Sequence, residues 1–165
     1  MKREVANIAF SVVTLAIFAA FEELLPKPFG AGVPLLLCAC IWRGVRKGAT
    51  AAMLFAAAAG AAEDSLGMLP FATSAAFFAG TAAVAKVFVS SGRSSAPAGL
   101  PCTIALAASS WCLYQLWLWI WLGGRMEGSV FSRMLVAAPV AAATAAAAIP
   151  FLSFAAGKAG LDDES

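Results

Sequence analysis

Glu63 and Asp64 end a long alanine-rich apolar run in the stretch GAAEDSLGMLPF, residues 60–71. Paired carboxylates can act as general acid and base, or bracket a glycosidic bond. Both chemistries need two groups facing one substrate across a gap. Consecutive residues on a helix diverge by about 100°, so Glu63 and Asp64 cannot form that dyad by themselves. Cys38 and Cys40 could form a redox pair, but the spacing is not CxxC. All four cysteines, with Cys102 and Cys112, lie inside apolar runs, where a thiol serves as a small apolar side chain. The sequence contains no histidine. That removes imidazole proton shuttles, Ser–His and Cys–His nucleophiles and the commonest metal ligand. The residues therefore offer no catalytic constellation, no metal set and no cofactor motif, and the carboxylates read as a wet helix end.

The elements that carry these residues follow from composition. Of 165 residues, 62% are hydrophobic and 12% charged, with mean hydropathy +0.87. A soluble domain carries about 25% charged residues, so lipid is the solvent this chain suits. Alternating polar and apolar residues, the mark of a membrane barrel, are missing. Helices are the other structure that satisfies its own backbone inside a bilayer. The expected fold is an all-α polytopic bundle of about six transmembrane helices, forming one domain over residues 1–158, with a short acidic tail at 159–165. Net charge is +2 and the basic residues come in short scattered groups, so no nucleic-acid footprint appears.

Six apolar runs divide the chain. Val5–Phe21 follows Lys2 and Arg3; it could be a signal peptide, but reads as a retained first helix. Val33–Trp42 ends at Arg43, Arg46 and Lys47, and Ala49–Ala62 ends at the acidic pair. Both are short for about 30 Å of hydrocarbon and read as two short spans, with a re-entrant hairpin as the alternative. Pro70–Val89, Cys102–Leu122 and Met134–Ala156 complete the set. Pro139 and Pro150 should kink the last run. Six spans with the N-terminus inside put Lys2, Arg3, Arg43, Arg46, Lys47, Lys86, Arg93 and Lys158 in the cytoplasm. Only Lys27, Arg125 and Arg133 then lie outside, a clear positive-inside bias that makes both termini cytoplasmic. Glu22, Glu23, Glu63, Asp64 and Glu127 fall on the outer side.

Trp111, Tyr114, Trp117, Trp119 and Trp121 crowd the fifth run. They could line an aromatic ligand pocket, but read as an interfacial belt plus packing, and Gln115 as a hydrogen-bonding amide among them. The small residues of the third, fourth and sixth runs let helix backbones approach closely. Gly44-x-x-x-Gly48 has the spacing of a packing motif, yet straddles the basic group and is discounted.

From Gly44 to Gly80 the chain reads GVRKGATAAMLFAAAAGAAEDSLGMLPFATSAAFFAG, after a loop containing Pro26, Pro28 and Pro34. Spaced glycines, an acidic residue and a Gly-containing turn into the next helix resemble the MreD family. That family is the small membrane subunit of the bacterial rod-shape, or elongasome, complex. The matching positions are Gly44, Gly48, Gly60, Asp64 and Gly67, and the pattern covers about residues 20–90. The resemblance implies a non-enzymatic scaffold in the bacterial cytoplasmic (inner) membrane. Its partners would be an MreC-like protein, a RodA-type glycosyltransferase, a penicillin-binding transpeptidase and the MreB filament. Gly60, Glu63, Asp64, Gly67 and Pro70 would then shape a helix end or a groove for a partner. A reading from another class is the substrate-binding subunit of an energy-coupling-factor vitamin transporter, similarly a small six-helix bundle. Glu63, Asp64 and the Trp cluster would there line a vitamin pocket. A small intramembrane enzyme would need a polar cluster at mid-bilayer depth, and the sequence shows none.

Overall fold

The computed structural model describes residues 2–25, 32–46, 48–70, 72–91, 99–123 and 130–161. They form six helices: α1 (Lys2–Leu24), α2 (Leu35–Arg46), α3 (Ala49–Leu66), α4 (Thr73–Ser91), α5 (Leu100–Trp121) and α6 (Val130–Lys158). No strand occurs among the described residues. The all-helical expectation holds, and each helix overlaps one apolar run. Pro26, Lys27, Pro28, Lys47, Arg93, Arg125, Glu127 and the acidic residues of the tail lie outside the described residues.

Local signals set the helix ends. Gly67 closes α3, its N–H bonding the Glu63 carbonyl at 2.8 Å. Pro101 sits in the opening turn of α5, where its missing N–H costs no hydrogen bond. Arg43 and Arg46 in the last turn of α2, and Lys158 in that of α6, complement the negative ends of those helix dipoles. Both Pro139 and Pro150 lie within the continuous α6.

Three helices are long and apolar enough to cross a membrane: α1 from Glu4, α5, and α6 from Phe131. The apolar part of α4, Thr73–Phe88, is shorter. With 12 residues, α2 is about 18 Å long, well short of the hydrocarbon thickness. Its placement explains how so short a helix is accommodated. It packs against all five other helices, and every residue from Leu36 to Gly44 is buried. A helix apolar on all sides belongs inside a bundle. Cys38 and Cys40 point into this core as free thiols.

Around α2, the closest pairs are α3 with α4 and α5 with α6, while α1 leans on α2 and α3. Glycine sets how near α4 can come. A Cβ on Gly60 would stand 2.4 Å from the Ala75 Cα, and one on Gly44 would stand 2.7 Å from the Ala82 carbonyl oxygen. Gly48 has open space around it. The discounted Gly44-x-x-x-Gly48 pair thus contains one true packing glycine, because Gly44 still belongs to α2 while Gly48 precedes α3.

Candidate functional site

The acidic stretch lies at the bundle end where α1 and α3 finish and α2 and α4 begin. The first four N–H groups of a helix have no partner within it. At this end two carboxylates supply partners from neighbouring helices. Glu22 Oε1 accepts a hydrogen bond from Leu36 N at 2.8 Å, in the first turn of α2. Asp64 Oδ1 accepts one from Ser74 N at 2.8 Å, in the first turn of α4. Each acid also puts negative charge where the helix dipole is positive. The two hairpins α1–α2 and α3–α4 are therefore tied in the same way: the end of the first helix caps the start of the second.

This arrangement overturns the wet-end expectation for Asp64, which is 3% exposed, and it also buries Glu22, which is 7% exposed. Burial is tolerable because each is bonded to a backbone donor at a helix N-terminus, in the low-dielectric surroundings where such a bond is strong. Glu63 is half-buried and its carboxyl group lies close to that of Glu22. The residue facing Glu63 is Glu22, some forty positions away, and adjacency in sequence gave no hint of it.

The other predicted positions cluster here as well. Gly60 lets α4 touch α3, and Gly67 ends α3. The Pro70 carbonyl accepts from both Thr73 N at 3.2 Å and Thr73 Oγ1 at 2.7 Å, which starts α4. The turn between is tight: Met68 has φ 50° and Ala72 φ 70°, both in the left-handed region that non-glycine residues rarely enter.

Ser74 and Phe77, outside the predicted set, complete the site together with Tyr114 and Trp117 of the aromatic cluster. Ser74 Oγ and the Tyr114 hydroxyl share a hydrogen bond deep in the bundle. Trp117 Nε1 donates to the Thr73 carbonyl at 3.0 Å, fastening α5 to the start of α4. Phe77 packs its ring against both Tyr114 and Trp117. The aromatic cluster thus divides along α5. Trp111, Tyr114 and Gln115 are buried, Trp117 is half-buried, and Trp119 and Trp121 face outward as a belt would. Glu22 was visible in the sequence as the end of the first run, at the same bundle end as Glu63; Ser74 and Tyr114 carried no such signal.

Chemically, most of this hydrogen bonding is structural. Two atoms of this neighbourhood stand apart: Asp64 Oδ2 and Trp111 Nε1 are buried and meet no hydrogen-bond partner. Among the described residues, no group of three or more Cys, Asp or Glu side chains is placed to hold a metal ion. No protein-family model matches the chain, and neither a curated protein nor a solved structure resembles it significantly.

Proposed function

We propose that this protein is a non-enzymatic scaffold of the bacterial cytoplasmic membrane, with six spans and both termini in the cytoplasm. Its partner would be an MreC-like membrane protein of the cell-wall elongation machinery. The observation that carries this reading is a groove of about 540 Å3 between α1 and α6. Ile17, Phe18 and Phe21 form one wall, and Thr144, Ala147 and Ala148 the other. Lipid provides no hydrophobic drive between helices, so membrane partners associate where small residues let backbones come close. The Ala147–Ala148 wall has that character. The most apolar window of α1 is only 11% buried, against 39% for α5 and α6, which leaves α1 free to meet another helix. The groove reaches the acidic end, where Phe21, Leu25 and Leu35 line it; that end is committed to holding helices together, which suits architecture better than catalysis.

The test is purification from native membranes with and without Ala147→Phe, which fills the groove. Recovery of an MreC-like protein with the wild type and its loss with the variant is the expected result. Recovery of transporter ATPases instead would sink the scaffold reading.

A substrate-binding role in vitamin transport is favoured by one observation, the buried Asp64 Oδ2 beside the Ser74–Tyr114 pair. A vitamin with an N–H or ammonium group would satisfy it. Tight vitamin binding by the purified protein, abolished by Asp64→Asn, would establish that role; no binding would remove it.

A further inference from the structure

The end of the bundle opposite the acidic cluster gathers positive charge. Arg43 and Arg46 finish α2, Lys86 lies near the end of α4, and Lys158 finishes α6. Between α2, α5 and α6 at this end lies a cavity of about 310 Å3, at the small end of the range for ligand sites. Its walls are mostly apolar, from Val45, Leu100, Ile149 and Pro150. Its polar groups converge from three elements. Arg46 holds its guanidinium 5.7 Å from the centre of the Trp42 ring, and Trp42 is held in turn by a 3.1 Å hydrogen bond from Nε1 to Ser153 Oγ. Gly99 and Leu100 also line the cavity, so the opening turn of α5 borders it. That turn has no side-chain cap. Pro101 has no N–H there and Cys102 N bonds the Gly99 carbonyl at 2.9 Å, so what this helix opening adds to the cavity is the positive potential of its dipole.

A guanidinium pre-oriented on an indole, at the mouth of an apolar recess in a membrane-embedded bundle, matches an amphiphile with an anionic head. Arg pairs with phosphate through two parallel N–H bonds, a geometry that Lys cannot reproduce. We propose that this cavity binds the phosphate of a lipid headgroup, with Arg46 as its anchor, the α5 opening turn as a second positive pole, and the apolar walls against the glycerol and upper acyl carbons. Anionic lipids bind membrane proteins in basic pockets between helices, and Arg46 supplies what a zwitterionic lipid needs less. The Trp42–Ser153 bond makes the site a product of α2–α6 packing, so it exists only in the assembled bundle.

The experiment places the purified protein in nanodiscs of phosphatidylcholine alone or with phosphatidylglycerol, and follows bound lipid by native mass spectrometry and unfolding by intrinsic fluorescence. Preferential retention of phosphatidylglycerol and a higher unfolding temperature in its presence are expected. Arg46→Gln, at an exposed helix end, should weaken that retention about tenfold, the effect of losing a bidentate ionic contact. Lys86→Gln removes the same charge from the same bundle end without touching the cavity, and should leave retention within about twofold, as screened surface charges do. Equal losses from both variants, or unchanged retention in Arg46→Gln, would overturn the site. Stabilisation by millimolar inorganic phosphate in place of the lipid would overturn the lipid as the source of the phosphate.

Discussion

The two ends of the bundle treat charge in opposite ways. At the acidic end, Glu22 and Asp64 turn inward, lose their water and bond the first turns of α2 and α4. At the basic end, Arg43, Arg46 and Lys158 lie against the Phe55, Trp42 and Phe154 rings, with Arg46 and Lys158 exposed. The difference follows from backbone polarity. The acidic end is where α2 and α4 present unbonded N–H groups, which carboxylates can satisfy. The basic end is where they present carbonyls and the negative pole, which cations serve well enough from outside. Glu22 and Asp64 therefore serve as internal fasteners, whereas Arg46 and Lys158 make surface-facing contacts and Arg43, 8% exposed, is drawn inward against Phe55.

Five substitutions would break or sharpen that contrast, read by unfolding of the detergent-solubilised protein. The largest effect should come from Gly60→Ala. Its methyl would overlap the α4 backbone at Ala75, forcing α3 and α4 apart at a cost of about 3 kcal/mol. Asp64→Ala should follow at about 2 kcal/mol, because it strands Ser74 N in a buried site. Asp64→Asn keeps an oxygen acceptor and should recover at least half of that loss, which separates the hydrogen bond from the charge. Trp117→Phe keeps the ring packing but loses the bond to the Thr73 carbonyl, about 1 kcal/mol. Arg46→Gln should be smallest, about 0.5 kcal/mol from an exposed cation–ring contact. If Arg46→Gln proved as damaging as Asp64→Ala, the two ends would not differ as described.

Much of this was legible in the residues. Six apolar runs gave six helices, and GAAEDSLGMLPF was rightly a helix end and a turn. Gly60 and Gly67 were marked through the family resemblance, and the structure gives them physical uses in close approach and helix termination. The inward turn of the carboxylates was not legible. Exposure at a helix end depends on which neighbouring helix begins beside it, and Leu36 and Ser74 reveal nothing of that by their own types. The Glu22–Glu63 contact likewise arises from α1 leaning on α3, a tertiary fact with no periodic signature. Short length made α2 and α3 read as two short spans with a re-entrant hairpin as the alternative; the residues did not show that the other five helices all pack against α2.

That encirclement has a consequence for the order in which the molecule is built. A 12-residue segment ending in two arginines has little tendency to enter a bilayer alone. Its buried ring, from Leu36 to Gly44, needs walls from α4 and α6 as well as from α1 and α3. Since α4 and α6 follow α2 in the chain, the surroundings of α2 close only after those later helices are made. The helix that packs against all five others is fully housed only when the last of its walls arrives.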